Sequence, residues 1–163
     1  MPAAETRSIL IRPADGAEDI AHARRLFQAY QASLSVDLCF QNFAEELSSL
    51  PGAYAPPHGC LLLAMDGAVP VGTVALRPLQ TDSDAEMKRL FVVPEVRGLS
   101  IGRRLVAAVI THARRQGYRR LLLDTLPEME AAQRLYRDVG FVETGPYVHN
   151  PVKGARYLLL TLV

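Results

Sequence analysis

Residues 86–105 read EMKRLFVVPEVRGLSIGRRL. The first part of this segment is rich in residues that favour β-structure, and Pro94 ends the strand that we predict over residues 85–93. An amphipathic pattern begins at Ser100, a favourable N-cap residue, and continues to Gly117, which suits a left-handed C-terminal cap. The sequence therefore predicts a strand that leads through an Arg/Gly turn into the first turn of a long helix.

This strand, turn and helix arrangement can bind an anion. The first turn of a helix leaves backbone N–H groups unpaired at the positive end of the helix dipole. Gly98 and Gly102 let a ligand approach the backbone, and Arg97, Arg103 and Arg104 can add charge-assisted hydrogen bonds. A capped helix with solvated arginines explains these residues equally well. The segment lacks the Gly-Lys-Ser/Thr of a Walker loop and the Gly-x-Gly-x-x-Gly dinucleotide pattern, which disfavours nucleoside triphosphates and NAD.

The first half of the chain predicts two helices and a hairpin. A short strand over residues 8–12 precedes a helix whose capping box is Asp15 and Glu18 and whose apolar face includes Tyr30. A second helix, with apolar residues at positions 40, 43, 47 and 50, ends at Pro51. Strands over residues 60–65 and 71–77 flank Asp66-Gly67, a composition that favours an antiparallel hairpin.

The second half adds a strand over residues 119–124, a helix over 128–139 that ends at Gly140, and a final apolar strand over 155–163. We therefore expect a single α/β (mixed α+β) domain over residues 1–163. Its central mixed, mostly antiparallel sheet would have six to seven strands, flanked by about four helices. An exposed edge on the final strand would favour dimerisation, so both a monomer and a homodimer are open.

Composition excludes several classes of protein. The 163 residues include 18 Lys and Arg against 17 Asp and Glu, which gives no long-range field for nucleic acid or an anionic membrane. With 49% hydrophobic residues the chain is not of the disordered type. Its longest apolar run, residues 60–65, is far shorter than the ~20 residues of a membrane span, and no signal pattern begins the sequence. We expect a cytoplasmic protein, and Cys39, Cys60 and four scattered histidines predict neither a disulfide nor a metal site.

The turn at residues 97–102 resembles the pyrophosphate signature of the GNAT superfamily of N-acetyltransferases, usually written Gln/Arg-x-x-Gly-x-Gly/Ala. The resemblance extends to EMKRLFV at residues 86–92, to Leu123-Asp-Thr, and to the pattern of residues 129–141. Residues 145–151, GPYVHNP, are similar to the tail of a subgroup of small bacterial members. Ser100 stands where the family usually has glycine, and we expect it to weaken cofactor binding without abolishing it.

The resemblance implies acetyl-CoA as co-substrate and no metal. The strand would offer main-chain groups to the pantetheine arm and polarise the thioester carbonyl at Leu90, Phe91 and Val92. The pyrophosphate would then lie on the turn and the first residues of the helix, which are Arg97, Gly98, Leu99, Ser100, Ile101, Gly102 and Arg103.

Two residues are the catalytic candidates that the resemblance implies. Tyr136 matches a family tyrosine that protonates the departing thiolate, although its spacing with Met129 and Ala132 alone would predict a core residue. The two roles are compatible, because the ring can pack while the hydroxyl faces the cleft. Glu86 matches a glutamate that removes the amine proton, often through water. Lys88, two positions on, would share its strand face, and pairing would make Glu86 a poorer base.

The acceptor site is the least defined. By resemblance, the segment after the first helix and the loop at residues 147–153 border it, which makes Tyr30, Lys88, Tyr147 and Asn150 candidate contacts, with Asp37, Tyr54, His58 and His149 weaker ones. Arg77, Lys88 and Arg89 would suit an amine that carries a carboxylate, such as an amino acid. We expect an N-acetyltransferase that acts on a small-molecule amine. A peptide or protein amine and a non-catalytic acyl-CoA-binding module are the alternatives.

Overall fold

The computed structural model describes residues 7–38 and 42–163. In chain order its elements are β1 (Ile9–Pro13), α1 (Gly16–Ser33), α2 (Phe43–Ser49), β2 (Cys60–Asp66), β3 (Val69–Pro78), β4 (Asp84–Val92), α3 (Ile101–Arg115), β5 (Arg120–Thr125), α4 (Glu130–Val139), β6 (Val142–Thr144) and β7 (Arg156–Thr161). The predicted mixed α/β fold class is confirmed. The predicted start of the second helix at Phe40 lies outside the described residues.

The strands form one sheet in the order β1-β2-β3-β4-β5-β7-β6. The β4–β5 pair is parallel, and the other neighbouring pairs are antiparallel, including the predicted β2–β3 hairpin around Gly67. β7, the predicted final strand, pairs on both sides and is not an edge, because β6 covers it. β6 was not predicted from the sequence, because it is only three residues long.

The sheet separates two apolar clusters. Along β2, Leu61 and Leu63 pack on the side of α1 and α2, whereas Leu62 and Ala64 pack on the side of α3. This alternation follows from the two-residue period of a strand, and a run that is apolar at every position is buried on both faces. No helix in residues 7–38 and 42–163 is long and apolar enough to cross a membrane.

The predicted capping box of α1 is wrong. Asp15 is the N-cap residue, but neither its side chain nor that of Glu18 caps the helix. Asp19 instead accepts a hydrogen bond from the Asp15 backbone N–H at 2.8 Å and pairs with the Arg12 guanidinium of β1. The side chain one position later therefore caps the helix, because only it also reaches the cation on the neighbouring strand.

A gap between β4 and β5 opens a concavity in the fold. Residues 84–86 pair with residues 120–122, and beyond them the two strands continue without pairing to each other. A bulge reinforces the separation, because Arg89 and Leu90 together face Val74 of β3, and Arg89 adopts φ +60°. The backbone of β4 beyond Glu86 therefore presents an unpaired edge to this gap.

Candidate active site

A cavity of about 640 Å³ occupies the gap between β4 and β5. Of the residues predicted for the cofactor, only Leu99 is missing from its wall; the others line it, namely Leu90, Phe91, Val92, Arg97, Gly98, Ser100, Ile101, Gly102 and Arg103. Tyr136, Tyr30, Lys88 and Asn150 also line it, whereas Glu86 and Tyr147 do not. The weaker acceptor candidates Asp37, Tyr54, His58 and His149 lie away from this wall.

The first turn of α3 reaches the cavity without a side-chain cap. Ser100 is the N-cap residue, but at φ +60° it is in the left-handed region and its side chain caps no N–H group, so the predicted capping role of its hydroxyl is wrong. A capping side chain normally requires an extended backbone at this position. Gly98 also has a positive φ, +91°, which glycine adopts readily. The backbone N–H groups that a cap would occupy remain available to an anion.

Arg97 reinforces this anion-binding end of the cavity. Its Nε donates to the Val92 carbonyl oxygen at 3.0 Å, and its guanidinium lies 5.9 Å from the centre of the Phe91 ring. The arginine is therefore held against the end of β4 beside the uncapped helix. Arg103 forms an exposed ion pair with Asp138 at 3.3 Å, and such a pair is weak enough to let the guanidinium turn toward a ligand. These residues fit a pyrophosphate group.

Tyr136 belongs both to the apolar core and to the cavity wall. Its side chain is only 7% exposed, and its ring packs against Phe141 with 5.7 Å between ring centres. In the part of the chain that the structure describes, no residue hydrogen-bonds its hydroxyl, and the residue lines the cavity wall. Burial raises the pKa of Tyr136 above its ordinary value of 10.0. The hydroxyl is therefore a protonated donor at neutral pH.

Glu86 is enclosed beneath the cavity. It is fully buried, with Oε1 accepting from Arg77 Nε at 2.7 Å and lying 3.9 Å from Lys88 Nζ. Its Oε2 accepts from the Tyr147 hydroxyl at 2.5 Å. The predicted pairing with Lys88 is present, but Arg77 and Tyr147 hold the carboxylate more closely. Tyr147 also packs edge-on against Tyr157, so it faces Glu86 instead of the cavity.

The arginines predicted to recognise a carboxylate already have partners. Arg89, 4% exposed, donates to both carboxylate oxygens of Glu46 of α2 at 2.8 and 2.9 Å, and its guanidinium lies 5.1 Å from the centre of the Phe43 ring. Arg77 is paired with Glu86. To bind a substrate carboxylate, either arginine would have to leave its protein carboxylate. Burial lowers the pKa of Lys88, which lines the cavity beside Glu86.

Asp124 and Glu128, which were not predicted from the sequence, also line the cavity. Asp124 lies near the end of β5, and its Oδ2 accepts from Asn150 Nδ2 at 3.0 Å. Glu128 accepts from the Ser35 hydroxyl at 2.5 Å, which joins the segment after α1 to the loop before α4. Only the separation of β4 from β5, which has no local sequence signal, identifies Asp124 as a cavity residue.

Residues 7–38 and 42–163 contain no candidate metal-binding site. No group of three or more His, Cys, Asp or Glu side chains is arranged to hold an ion there.

Comparisons with known proteins agree with this geometry. Residues 22–141 match the model of the Acetyltransferase (GNAT) family. An uncharacterized N-acetyltransferase of Schizosaccharomyces pombe is 40% identical over 146 residues, which cover 89% of this chain and 90% of that protein. The chain belongs to the GNAT family of acetyltransferases. It is an N-acetyltransferase.

Solved structures share the fold. A GNAT-family acetyltransferase from Staphylococcus aureus superposes with a TM-score of 0.79 at 22% identity, over 96% of this chain and 100% of that one. A protein of Salmonella typhimurium, solved with its cofactor acetyl-CoA, superposes with a TM-score of 0.66 at 20% identity. That match covers 95% of this chain and 94% of the other. At these identities the comparison concerns the arrangement of the elements alone.

Proposed function

We propose that the protein transfers an acetyl group from acetyl-CoA directly to a primary amine of a small molecule. One observation carries the proposal: a single cavity runs from the uncapped first turn of α3, along the unpaired edge of β4, to the hydroxyl of Tyr136. It brings together an anion site, main-chain donors for a carbonyl and a proton donor, which are the groups that acyl transfer from a thioester needs.

The cofactor would lie along α3 and β4. Backbone N–H groups of the first turn of α3, with Arg97 and Arg103, would hold the pyrophosphate. The unpaired edge of β4 at residues 90–92 would bind the pantetheine arm and donate to the thioester carbonyl oxygen as charge develops on it. The Salmonella typhimurium protein that contains acetyl-CoA has this same fold, which supports acetyl-CoA as the co-substrate.

Tyr136 would act as the general acid. Its hydroxyl has no hydrogen-bond partner among the described residues, so it can donate to the departing sulfur without first breaking a protein hydrogen bond. Of the two predicted catalytic residues, Glu86 is the less favourably placed for its role. As a base it would have to exchange its bonds to Arg77 and Tyr147 for a water molecule that leads to the amine.

The size of the acceptor follows from the walls of the cavity. The hydrogen bond from Ser35 to Glu128 joins two walls at the acceptor side, beside Tyr30 and Leu34. This bridge favours a small amine over a folded protein surface, because a protein substrate would have to displace it. A flexible peptide terminus is the remaining protein substrate that this side of the cavity would admit.

The first test is thermal unfolding with and without acetyl-CoA. At one hundred times the Kd, a ligand adds ~2.7 kcal/mol, which corresponds to roughly 5 to 10 °C for a domain of this size. We expect that rise with acetyl-CoA and none with adenosine. Release of free thiol in the presence of an amine panel then establishes transfer. An unchanged midpoint at millimolar acetyl-CoA contradicts the proposal, and binding without thiol release indicates the non-catalytic module.

A further inference from the structure

We propose, on the basis of the acetyltransferase function above, that Asp124 receives the ammonium group of the acceptor and removes its proton. We propose further that the preferred acceptor is a primary alkylamine without a carboxylate next to the amine. Both statements rest on how the charged side chains around the acceptor end of the cavity are paired.

Asp124 is an oriented carboxylate with one open oxygen. It lies near the end of β5, where β5 has separated from β4, and it lines the cavity. Asn150 Nδ2 donates to Oδ2 at 3.0 Å, and Asn150 is fixed in turn because its Oδ1 accepts from the Val152 backbone N–H at 3.0 Å. Within the described residues no donor reaches Oδ1. An incoming ammonium group can therefore bind to Oδ1 while Asn150 holds Oδ2 in place.

The proton donor faces the same space. Tyr136 and Tyr30 line the cavity with Asp124, and the Tyr30 ring packs 6.1 Å from Phe91 of β4. The negative charge of Asp124 adds to the burial that raises the pKa of both tyrosines. An amine on Asp124 would thus lie beside Tyr136, with a proton acceptor and a proton donor in one pocket.

Glu86 is less suited to this task. Both of its oxygens already have donors, it has no exposed surface, and it does not line the cavity. Removal of a proton through Glu86 would require a hydrogen bond with Arg77 or Tyr147 to break. Asp124 would contact the amine directly. Glu86 instead accepts the hydrogen bond that holds Tyr147 in place.

The pairing of charges defines the acceptor class. The basic side chains on the described acceptor wall are Lys88 and Arg89, and they contact Glu86 and Glu46 respectively. A substrate carboxylate would therefore compete with a protein carboxylate for its counter-ion, and it would also face Asp124. The remaining wall is largely apolar, formed by Tyr30, Leu34 and Leu38. This combination fits an alkylammonium group on an apolar body.

The proton balance of the reaction is complete with these residues. Asp124 takes one proton from the ammonium, and the neutral nitrogen forms its bond to the acetyl carbonyl carbon. The carbon–sulfur bond breaks, the sulfur takes the Tyr136 proton, and Tyr136 regains a proton from the nitrogen. Asp124 then releases its proton to water. The products are an acetamide, a free thiol and one proton.

The test compares Asp124→Asn with Glu86→Gln, two isosteric changes, on 2-phenylethylamine and phenylalanine, which differ only in the carboxylate. We expect the wild type to show at least tenfold higher kcat/KM for 2-phenylethylamine. Asp124→Asn should lower kcat by roughly 10² or more. Its activity should recover as the pH rises, because solvent then supplies the neutral amine. Glu86→Gln should lose less than tenfold.

Controls separate the possible failures. Asp124→Asn must keep the rise in unfolding midpoint with acetyl-CoA, and Asn150→Ala, which leaves the carboxylate in place but unheld, should lower kcat about tenfold with little change in KM. Activity of Asp124→Asn within threefold of wild type, or a larger loss in Glu86→Gln, overturns the role of Asp124. Equal use of phenylalanine overturns the acceptor class. Absence of transfer by the wild type to any amine overturns the proposed function itself.

Discussion

At the scale of single residues, Tyr136 shows how one side chain serves both packing and chemistry. Its ring lies in the larger apolar cluster, and its hydroxyl reaches the cavity. Replacement by phenylalanine preserves the ring and removes only the proton donor. We expect Tyr136→Phe to lower kcat by roughly 10² with an almost unchanged unfolding midpoint, measured by thiol release and thermal unfolding.

Tyr118→Phe provides the matched control for this change. Tyr118 lies in the same cluster, but its hydroxyl donates to the His58 carbonyl oxygen at 2.7 Å and does not line the cavity. Its kcat should remain at the wild-type value. Equal turnover of the Tyr136 and Tyr118 variants would remove the general-acid role.

A second residue-scale prediction concerns Gly98. A Cβ there would meet no heavy atom within 4 Å, so any cost of Gly98→Ala comes from its φ of +91° and not from a clash. We expect a loss of about 1–2 kcal/mol in the free energy of unfolding, measured in urea. Gly102→Ala is the control, because its Cβ would lie at an ordinary 3.5 Å from Leu135 within a helix that favours alanine. A loss at Gly102 as large as at Gly98 would contradict the conformational explanation.

At the scale of elements, α2 is attached to the bulge of β4 through the Glu46–Arg89 pair. Arg89 is almost completely buried, so loss of its partner leaves an uncompensated charge in the interior. We expect Glu46→Leu to lower the free energy of unfolding by about 3 kcal/mol, measured in urea. The double variant Glu46→Leu with Arg89→Met should regain part of this loss. Glu45→Gln, on the exposed side of α2, should change stability by less than about 0.5 kcal/mol.

The elements themselves were largely predictable, because periodicity and breaker residues are local signals. β2, β3, β4, α3 and β5 lie within a residue or two of their predicted bounds. Contacts between residues that are far apart in the sequence could not be predicted. Asp19 replaces Glu18 as the cap because Arg12 is within reach, and Tyr147 bonds to Glu86 across 61 positions. Asp124 gains its significance only where β4 and β5 separate.

At the scale of the whole molecule, the two parts of the sheet meet at a short parallel seam. Residues 84–86 pair with residues 120–122, and Asp84 accepts from Arg120 Nε and Nη2 at 2.7 and 2.5 Å. The Ser83 carbonyl oxygen accepts from the backbone N–H groups of Arg119 and Arg120. Since the strands do not pair beyond this seam, it is the main backbone connection between the parts.

Because Asp84 lies in this seam, the free energy of unfolding should depend on pH in the acid range. The hydrogen bond with Arg120 lowers the pKa of Asp84 below its ordinary value of 3.8. A carboxyl group whose pKa is lower in the folded state stabilises the fold above its ordinary pKa and loses this contribution as the pH falls through the folded value. We therefore expect unfolding free energy to decline below about pH 4. Asp84→Asn should reduce stability at pH 7 and flatten that decline.

Unfolding in urea at pH 7 and at several values below pH 4 measures this effect. Asp82→Asn, a change at an exposed neighbouring carboxylate, is the control and should retain the wild-type profile. An unchanged acid profile in Asp84→Asn would show that the seam does not depend on this carboxylate.

The position of β7 between β5 and β6 also affects the order in which the protein can form. During synthesis β5 and β6 emerge before residues 156–161. β5 can pair with β4 on one side, but its other edge and the whole of β6 lack a partner until that strand is made. Until then β5, which is apolar at positions 121–123, has an open edge that another chain can pair with. Such late closure makes nascent chains prone to association, and chaperone supply should therefore affect the yield of folded protein more than the stability of the finished fold does.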